Sequence, residues 1–241
     1  MQNHDMRCKR VKFSIVTVCY NSSATIGETI LSVVNQTYPN VEYIVIDGDS
    51  TDGTQSIINK YKDKIAYYSS EPDKGVYDAM NKALKVATGD FLLFLGSDDH
   101  FMAYTILQDV SNLINDCDSV YYGNVFRNVR NDVYKGKFGK YKISLENICH
   151  QSIFYPKSVY QKYYYNTEYK IYADYYYNLL IYPLVSFKYL PLTIAYYNCK
   201  GLSSFSLDTN FECVVNSFVL RQNGFLAWFL RMLYLLYKKL L

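Results

Sequence analysis

The stretch VEYIVIDGDSTDGT, residues 41–54, decides the fold class. Its first half, VEYIVI, is an apolar, β-branched run of strand length. It lacks the polar alternation of a half-exposed strand, so it reads as a strand buried on both faces, as in a parallel sheet. The run then breaks into Asp47-Gly48-Asp49-Ser50, and Asp52 with Gln55 three residues on predicts a capping box opening a helix through about residue 61.

The same pattern repeats outward. FSIVTVC (residues 13–19) precedes Tyr20-Asn21-Ser22-Ser23, where either serine can cap a helix carrying Ile26, Ile30, Val33 and Val34. Downstream, the pattern predicts a third strand over 65–69 and a helix over 77–87 stopped by Gly89. A fourth strand, DFLLFL, covers 90–95. The first hundred residues thus read β-α-β-α-β-α-β, which predicts an α/β fold: a Rossmann-like, mixed but mostly parallel central sheet flanked by helices. Beyond Phe101 a helix is predicted over 105–115, short strands around 120–122 and 133–138, a helix after Asp174, and strands near 187–190 and 193–197. No Pro/Gly/Ser linker separates this half, so it reads as an extension of the same sheet. The division expected is an N-terminal segment 1–12, a body 13–205 with halves 13–100 and 101–205, and C-terminal helices 206–241.

Half of the 241 residues are hydrophobic and a fifth are charged, which excludes a disordered chain. The net charge of +3 is too weak to argue for a nucleic-acid partner. None of the six cysteines forms a C-x-x-C pair, which speaks against a zinc knuckle or thioredoxin-type site and fits reduced thiols in a cytoplasmic setting. Residues 1–12 are polar with no apolar core, so no signal peptide is expected there. There is no P-loop, no G-x-G-x-x-G and no G-x-S-x-G. The first strand ends in C-Y-N-S rather than a Gly-rich loop, against a sugar nucleotidyltransferase.

In a parallel α/β sheet ligands sit beyond the carboxyl ends of the strands. That rule selects Tyr20-Asn21, Asp47-Gly48-Asp49 and Gly96-Ser97-Asp98-Asp99. Asp98 and Asp99, adjacent at a strand exit, suit a hard divalent cation, or else form a solvated turn with one of them capping the next helix. Asp47 beside Tyr20 can make a slot for a planar heterocycle, or be a turn former beside a half-buried strand residue. The loop Glu71-Pro72-Asp73-Lys74-Gly75 can flank the same ligand or be solvent-exposed. Asp174, set among aromatics in IYADYY (residues 171–176), suits a general base or an N-cap. His150-Gln151 is the fifth candidate, although a lone histidine is more often a core residue.

With these residues in hand, the chain resembles the family 2 glycosyltransferases of the GT-A fold. The likeness is carried by VTVCYNSSATIGETILSVVNQTYPNVEYIVIDGDSTDGT (residues 16–54), SEPDKGVYDAMNKALKVATGD (70–90) and FLGSDD (94–99). It continues more weakly through His150-Gln151-Ser152, Ala173-Asp174-Tyr175 and Gly201-Leu202-Ser203. The resemblance implies a small bacterial enzyme of surface-polysaccharide synthesis. Such an enzyme moves a sugar, with inversion, from a nucleotide-sugar donor, most readily a UDP-sugar, to a hydroxyl of a saccharide or lipid-linked acceptor. It implies Mg²⁺ or Mn²⁺ as cofactor, held by Asp99 with Asp98. Tyr20, Asn21, Asp47, Asp73 and Asp98 would bind the nucleotide, Asp174 would be the catalytic base, and His150 and Gln151 would line the acceptor or donor-sugar pocket. Residues 13–100 become the nucleotide-binding half and 101–205 the acceptor half. Two departures stand out: Gly96-Ser97 where Asn-Ala is usual, and Asp49 where Gly is common. The alternative kept open is a non-catalytic module that binds a sugar nucleotide or a membrane.

The segment GFLAWFLRMLYLLYKKLL (residues 224–241) is short for a membrane span and carries Arg231 near its middle. Gly224, Ala227, Arg231, Tyr234 and Lys238 fall on one helical stripe, and nearly everything else is apolar. The expectation is an interfacial helix with its apolar face in lipid and Arg231, Lys238 and Lys239 toward anionic head groups, peripheral on the inner face of the cell membrane. Packing on the domain, or in an oligomer, is the competing expectation.

Overall fold

A computed structural model of the chain describes residues 11–134, 136–198 and 209–240, without the side chains of 209, 210, 212, 213 and 238–240. Most of the predicted N-terminal segment, Gly201-Leu202-Ser203 and the side chains of Lys238 and Lys239 therefore lie outside the described residues.

Strand β1 (Phe13–Cys19) pairs in parallel with β2 (Val41–Asp47) on one side and β4 (Phe91–Phe94) on the other, and β3 (Tyr67–Ser70) extends the parallel set beyond β2. The chain steps outward from β1 to β2 and β3, then returns across β1 to β4. That reversal opens a crevice at the carboxyl ends of β1 and β4. β8 (Ile153–Pro156) pairs antiparallel with both β4 and β6 (Val120–Arg127). The sheet continues through β9 (Phe187–Tyr197) to β5 (His100–Phe101), and β7 (Asp132–Tyr134) pairs with β6. Among the described residues this is one nine-stranded mixed sheet in the order β3-β2-β1-β4-β8-β6-β9-β5 with β7 off the path. The second half of the chain extends the sheet of the first.

Successive strand residues go to opposite layers. Ile15, Val45 and Leu93 pack with Ile26, Ile30 and Val33 of α1 (Ile26–Val34). Val16, Ile44 and Leu92 pack with Met80, Ala83 and Leu84 of α3 (Val76–Val86). Burial on both faces explains why these strands read as unbroken apolar runs; each such side chain contributes about 1.5–3 kcal/mol.

Several local expectations change. α1 starts at Ile26 after Thr25, with no side-chain cap. α2 (Thr54–Asn59) follows Gly53 at φ +100°, and the capping box does not form. Instead the Asp52 carboxylate accepts from the N–H groups of Thr54 and Ser23, and the Gln55 amide donates to the Ser50 carbonyl. The Ser23 bond ties the loop after β1 to the loop after β2, and the Thr54 and Gln55 bonds brace the second loop itself. Gly89 is no helix cap: a Cβ there would meet the Ser14 amide nitrogen at 2.6 Å, so the position is glycine because the chain passes tightly under β1. β9 is one strand running through the exposed Pro191, with a register shift against β6 at Asn124.

The C-terminal helices are α8 (Thr209–Asn223) and α9 (Phe225–Leu240), joined at Gly224 with φ +86°. α9 lies against α8 and α5 (Lys140–Leu145). Its orientation corrects the expectation for Arg231. That residue is 1% exposed and Ala227 is fully buried. The guanidinium donates to the Ser144 carbonyl (2.9 Å), Asn216 Oδ1 (2.9 Å) and the Tyr175 hydroxyl (3.3 Å). Ala227, Arg231 and Tyr234 face the protein, and Phe225, Leu226, Phe229, Leu233, Leu236 and Tyr237 face outward. Among the described residues no helix is long and apolar enough to cross a membrane.

Candidate active site

Four loops meet at the carboxyl ends of the parallel strands. After β1, Tyr20 is 65% exposed and Asn21 takes a left-handed conformation, φ +48°. Asn21 clips this loop to the one after β2: its N–H donates to Ser50 Oγ at 2.8 Å and its Oδ1 accepts from the Thr51 N–H at 3.0 Å. Ser22 Oγ lies 2.9 Å from Ser97 Oγ, which ties in the loop after β4.

Asp47 lies beneath the cleft surface. It is fully buried, and its carboxylate accepts from the Ser50 N–H, Ser50 Oγ, Ser70 Oγ and the Cys19 thiol. Burial, followed by the Asp47 charge, pushes the Cys19 thiol well above its usual range, so it stays a neutral donor. These bonds fix the Asp47 carboxylate at the carboxyl end of β2. The surface above is formed by Tyr20, Gly48 and Asp73. A Cβ on Gly48 would meet Asp73 Oδ2 at 2.6 Å and Tyr20 Cδ2 at 3.3 Å, so a bare Cα separates an aromatic ring from a carboxylate.

After β4, Gly96 lets two carboxylates fold back over it: a Cβ there would meet Asp99 Oδ2 at 2.6 Å and Asp98 Oδ1 at 3.3 Å. Asp99 is 1% exposed, with Oδ2 accepting from the Gln151 amide (2.9 Å) and Oδ1 from the Asn198 N–H (2.8 Å). Asp98 is the more open of the two. Neither caps a helix, since α4 (Ile106–Leu113) begins after Thr105. Burial, then the charge of Asp98, pushes the Asp99 carboxyl up to about 6, and burial raises Asp98 as well. Two adjacent carboxylates that resist ionising together are the donor chemistry a hard dication relieves. Among the described residues no group of three or more His, Cys, Asp or Glu gathers to hold a metal. The fit is therefore to a cation taking one or two carboxylates and completing its shell with diphosphate and water, the usual habit of Mg²⁺.

Asp174 stands in the first turn of α7 (Ala173–Ile181), inside the helix rather than at its N-cap, which is Tyr172. Its Oδ1 accepts from the Tyr175 N–H (2.8 Å) and the Tyr77 hydroxyl (3.1 Å), whose proton is shared with the Ile171 carbonyl (2.5 Å). Its Oδ2 accepts from the Asn147 amide (2.8 Å) and lies 3.2 Å from His150 Nδ1. Burial, then the charge of Asp174, raises the Tyr77 hydroxyl well above its ordinary value and keeps it a donor. His150 also lies within electrostatic reach of Asp98 and Asp99, so it links the two acidic centres.

The structure thus brings Asp98, Asp99, His150, Gln151 and Asp174 into one neighbourhood, and Tyr20, Asn21 and Asp73 onto the adjoining loops. Sequence reasoning missed Asn147, Tyr77, Asn198 and the Ser22–Ser97 contact. Tyr77 lies two residues after the Glu71–Gly75 loop, which was a usable signal; Asn147, 27 residues from Asp174, and Asn198, 99 residues from Asp99, left none.

A family model described as glycosyl transferase family 2 matches residues 14–178. A "PGL/p-HBAD biosynthesis glycosyltransferase" of Mycobacterium bovis strain BCG is 32% identical over 209 residues, covering 83% of this chain and 82% of that protein. The Escherichia coli protein WfgD, a UDP-Glc:alpha-D-GlcNAc-diphosphoundecaprenol beta-1,3-glucosyltransferase, is 38% identical over 126 residues, which is 52% of this chain and 49% of WfgD. Among solved structures, S. aureus TarS 1-349 in complex with UDP-GlcNAc superposes with a TM-score of 0.71 at 22% identity, covering 88% of this chain and 67% of that one. The mannosyltransferase PcManGT of Pyrobaculum calidifontis, in complex with GDP-Man and Mn²⁺, gives 0.65 at 18% identity, with 89% and 63% covered. The two structural likenesses establish the GT-A type of fold. The family match over most of the chain, together with the mycobacterial relative, establishes that this protein belongs to glycosyl transferase family 2.

Proposed function

We propose that the chain is an inverting glycosyltransferase that moves a sugar from a nucleoside-diphosphate donor, a UDP-sugar, to a hydroxyl of a saccharide or lipid-linked acceptor in surface-polysaccharide synthesis. The observation that carries this reading is Asp174: a carboxylate held by four hydrogen-bond partners beside the Asp98–Asp99 pair, with His150 between them. The names of WfgD and of the TarS complex support the lipid-linked acceptor and the UDP donor.

In this reading Tyr20 stacks on the base over Gly48, and Asp73 accepts a polar hydrogen of the nucleoside. Asp99, fixed by Gln151 and Asn198, and the more open Asp98 would together hold Mg²⁺ or Mn²⁺. The cation, when bound, supplies Lewis-acid stabilisation of the departing diphosphate. Asp174 takes the proton of the acceptor hydroxyl as its oxygen attacks the anomeric carbon from the face opposite the diphosphate. Tyr77, Asn147 and His150 hold the carboxylate in place for that transfer, and one displacement inverts the anomeric centre. A panel of UDP-, GDP- and dTDP-sugars, tested by thermal shift with Mn²⁺ and with EDTA, identifies the donor. The anomeric coupling of the product in proton NMR then tests the mechanism. An α-linked donor gives a β-linked product; an α-linked product overturns inversion.

A further inference from the structure

We propose that the outward face of α9 docks the protein on an anionic lipid bilayer. The inference starts from how α9 is turned. Amphipathic surface helices bury their apolar side and expose their polar side; α9 does the reverse. It packs inward through Ala227 and Arg231. The Arg231 guanidinium reaches the Ser144 carbonyl of α5, Asn216 of α8 and the hydroxyl of Tyr175 on α7, and lies 5.7 Å from the centre of the Tyr175 ring. At the hairpin, Asn223 donates to Ser144 Oγ at 2.8 Å. Rotating α9 to hide its leucines would strip a buried cation of these partners, so the orientation is locked.

What remains outside is a ridge. Phe225, Leu226, Phe229, Leu233, Leu236 and Tyr237 are each 44–68% exposed. At ~100° per residue they fall within one arc of the helix, with no charged residue between them. Patches of this kind on a soluble surface mark an interaction site.

Charge selects the occupant. Residues 209–241 contain Arg221, Arg231, Lys238 and Lys239 against the single acid Glu212. The rest of the chain holds 21 basic and 21 acidic residues, so the whole net charge of +3 resides in this hairpin, and with the buried Arg231 set aside Arg221, Lys238 and Lys239 still outnumber Glu212. A second copy would set the same excess of positive charge against itself, which electrostatic complementarity disfavours. An apolar ridge on a positively charged hairpin instead suits acyl chains beneath anionic head groups. The ridge meets the lipid while Arg231 stays in the protein, the opposite of the arrangement in which Arg231 reaches the head groups. This inference rests on the packing of α9 and is independent of the transferase reading.

The test is flotation of the full chain with vesicles of phosphatidylcholine containing phosphatidylglycerol, against vesicles of phosphatidylcholine alone. The expected result is flotation with the anionic vesicles only, weakened by salt. The variant L226E/L233E/L236E should lose binding by about tenfold or more, since it removes apolar insertion and adds repulsion. Its melting temperature and UDP binding should be unchanged; if it fails to fold, F229S/L233S is read in the same way. Absent flotation, or flotation that neither substituted set weakens, overturns the proposal. So does sedimentation showing a dimer that the substitutions dissociate, which would assign the ridge to a second copy.

Discussion

Asp47, Asp98, Asp99 and Asp174 are all carboxylates at the same edge of the molecule, and their surroundings separate their roles. Asp47 is enclosed by serines, Asp99 is anchored by Gln151 and Asn198, Asp98 is the more open, and Asp174 is oriented by Tyr77, Asn147 and His150. Gly96→Ala tests the packing of the pair. A Cβ 2.6 Å from Asp99 Oδ2 must displace that carboxylate, so UDP affinity in Mn²⁺ should fall while affinity in EDTA stays the same, as read by calorimetry. Asp49→Gly tests backbone strain. Asp49 is exposed at φ +66°, a conformation glycine adopts without cost, so the change should be neutral to stabilising by about 0.5–1 kcal/mol in urea unfolding. Loss of stability would mean that the Asp49 side chain holds the loop. The acidic residues were legible in the sequence because a strand exit is a readable position. The burial of Asp47 was not, because Ser70 reaches it only after β3 pairs with β2.

Among the secondary elements, the edge between β1 and β2 is fastened by Glu42. Its carboxylate accepts from Lys12 Nζ (2.7 Å), Ser14 Oγ (2.6 Å), and the Thr88 N–H (2.8 Å) and hydroxyl (2.5 Å). Burial alone would raise Glu42, but these bonds outweigh it and lower the carboxyl from an ordinary 4.5 to about 2. A lowered carboxyl stabilises the fold above the unfolded value and loses that contribution as pH falls from 4.5 toward about 2. Glu42→Gln should therefore cost up to about 3 kcal/mol at pH 7 and flatten the loss of stability over that window, measured by urea unfolding at several pH values. An unchanged acid limb would contradict it. In the C-terminal helices, Arg231→Ala leaves the Ser144 carbonyl and Asn216 short of a donor and opens a cavity, with an expected loss of about 2–4 kcal/mol in the same assay. Element type was legible from hydrophobic period: the buried strands and α3 fall close to where the pattern puts them. Element ends were not, because Asp52 binds the neighbouring loop at Ser23, Gln55 braces the Ser50 carbonyl and Gly89 serves a close approach. The direction of Arg231 was not legible, because sequence cannot show that α5 and α8 offer acceptors to a buried guanidinium.

Across the whole molecule, one continuous sheet places the parallel-strand loops, the Asp98–Asp99 turn and the first turn of α7 around a single cleft. β8, antiparallel between β4 and β6, joins the half that reads clearly in sequence to the half that does not, and brings His150 and Gln151 beside Asp99 and Asp174. In the proposed reaction a nucleotide sugar binds at these loops and Asp174 removes the acceptor proton. Asp174→Asn keeps the shape of the side chain and removes its basicity, so UDP affinity and donor turnover are measured together on wild type and variant. UDP affinity should stay within about twofold of wild type and turnover should fall by roughly 10²–10⁴. Turnover near the wild-type rate would contradict it and leave Asp174 as an anchor for α7.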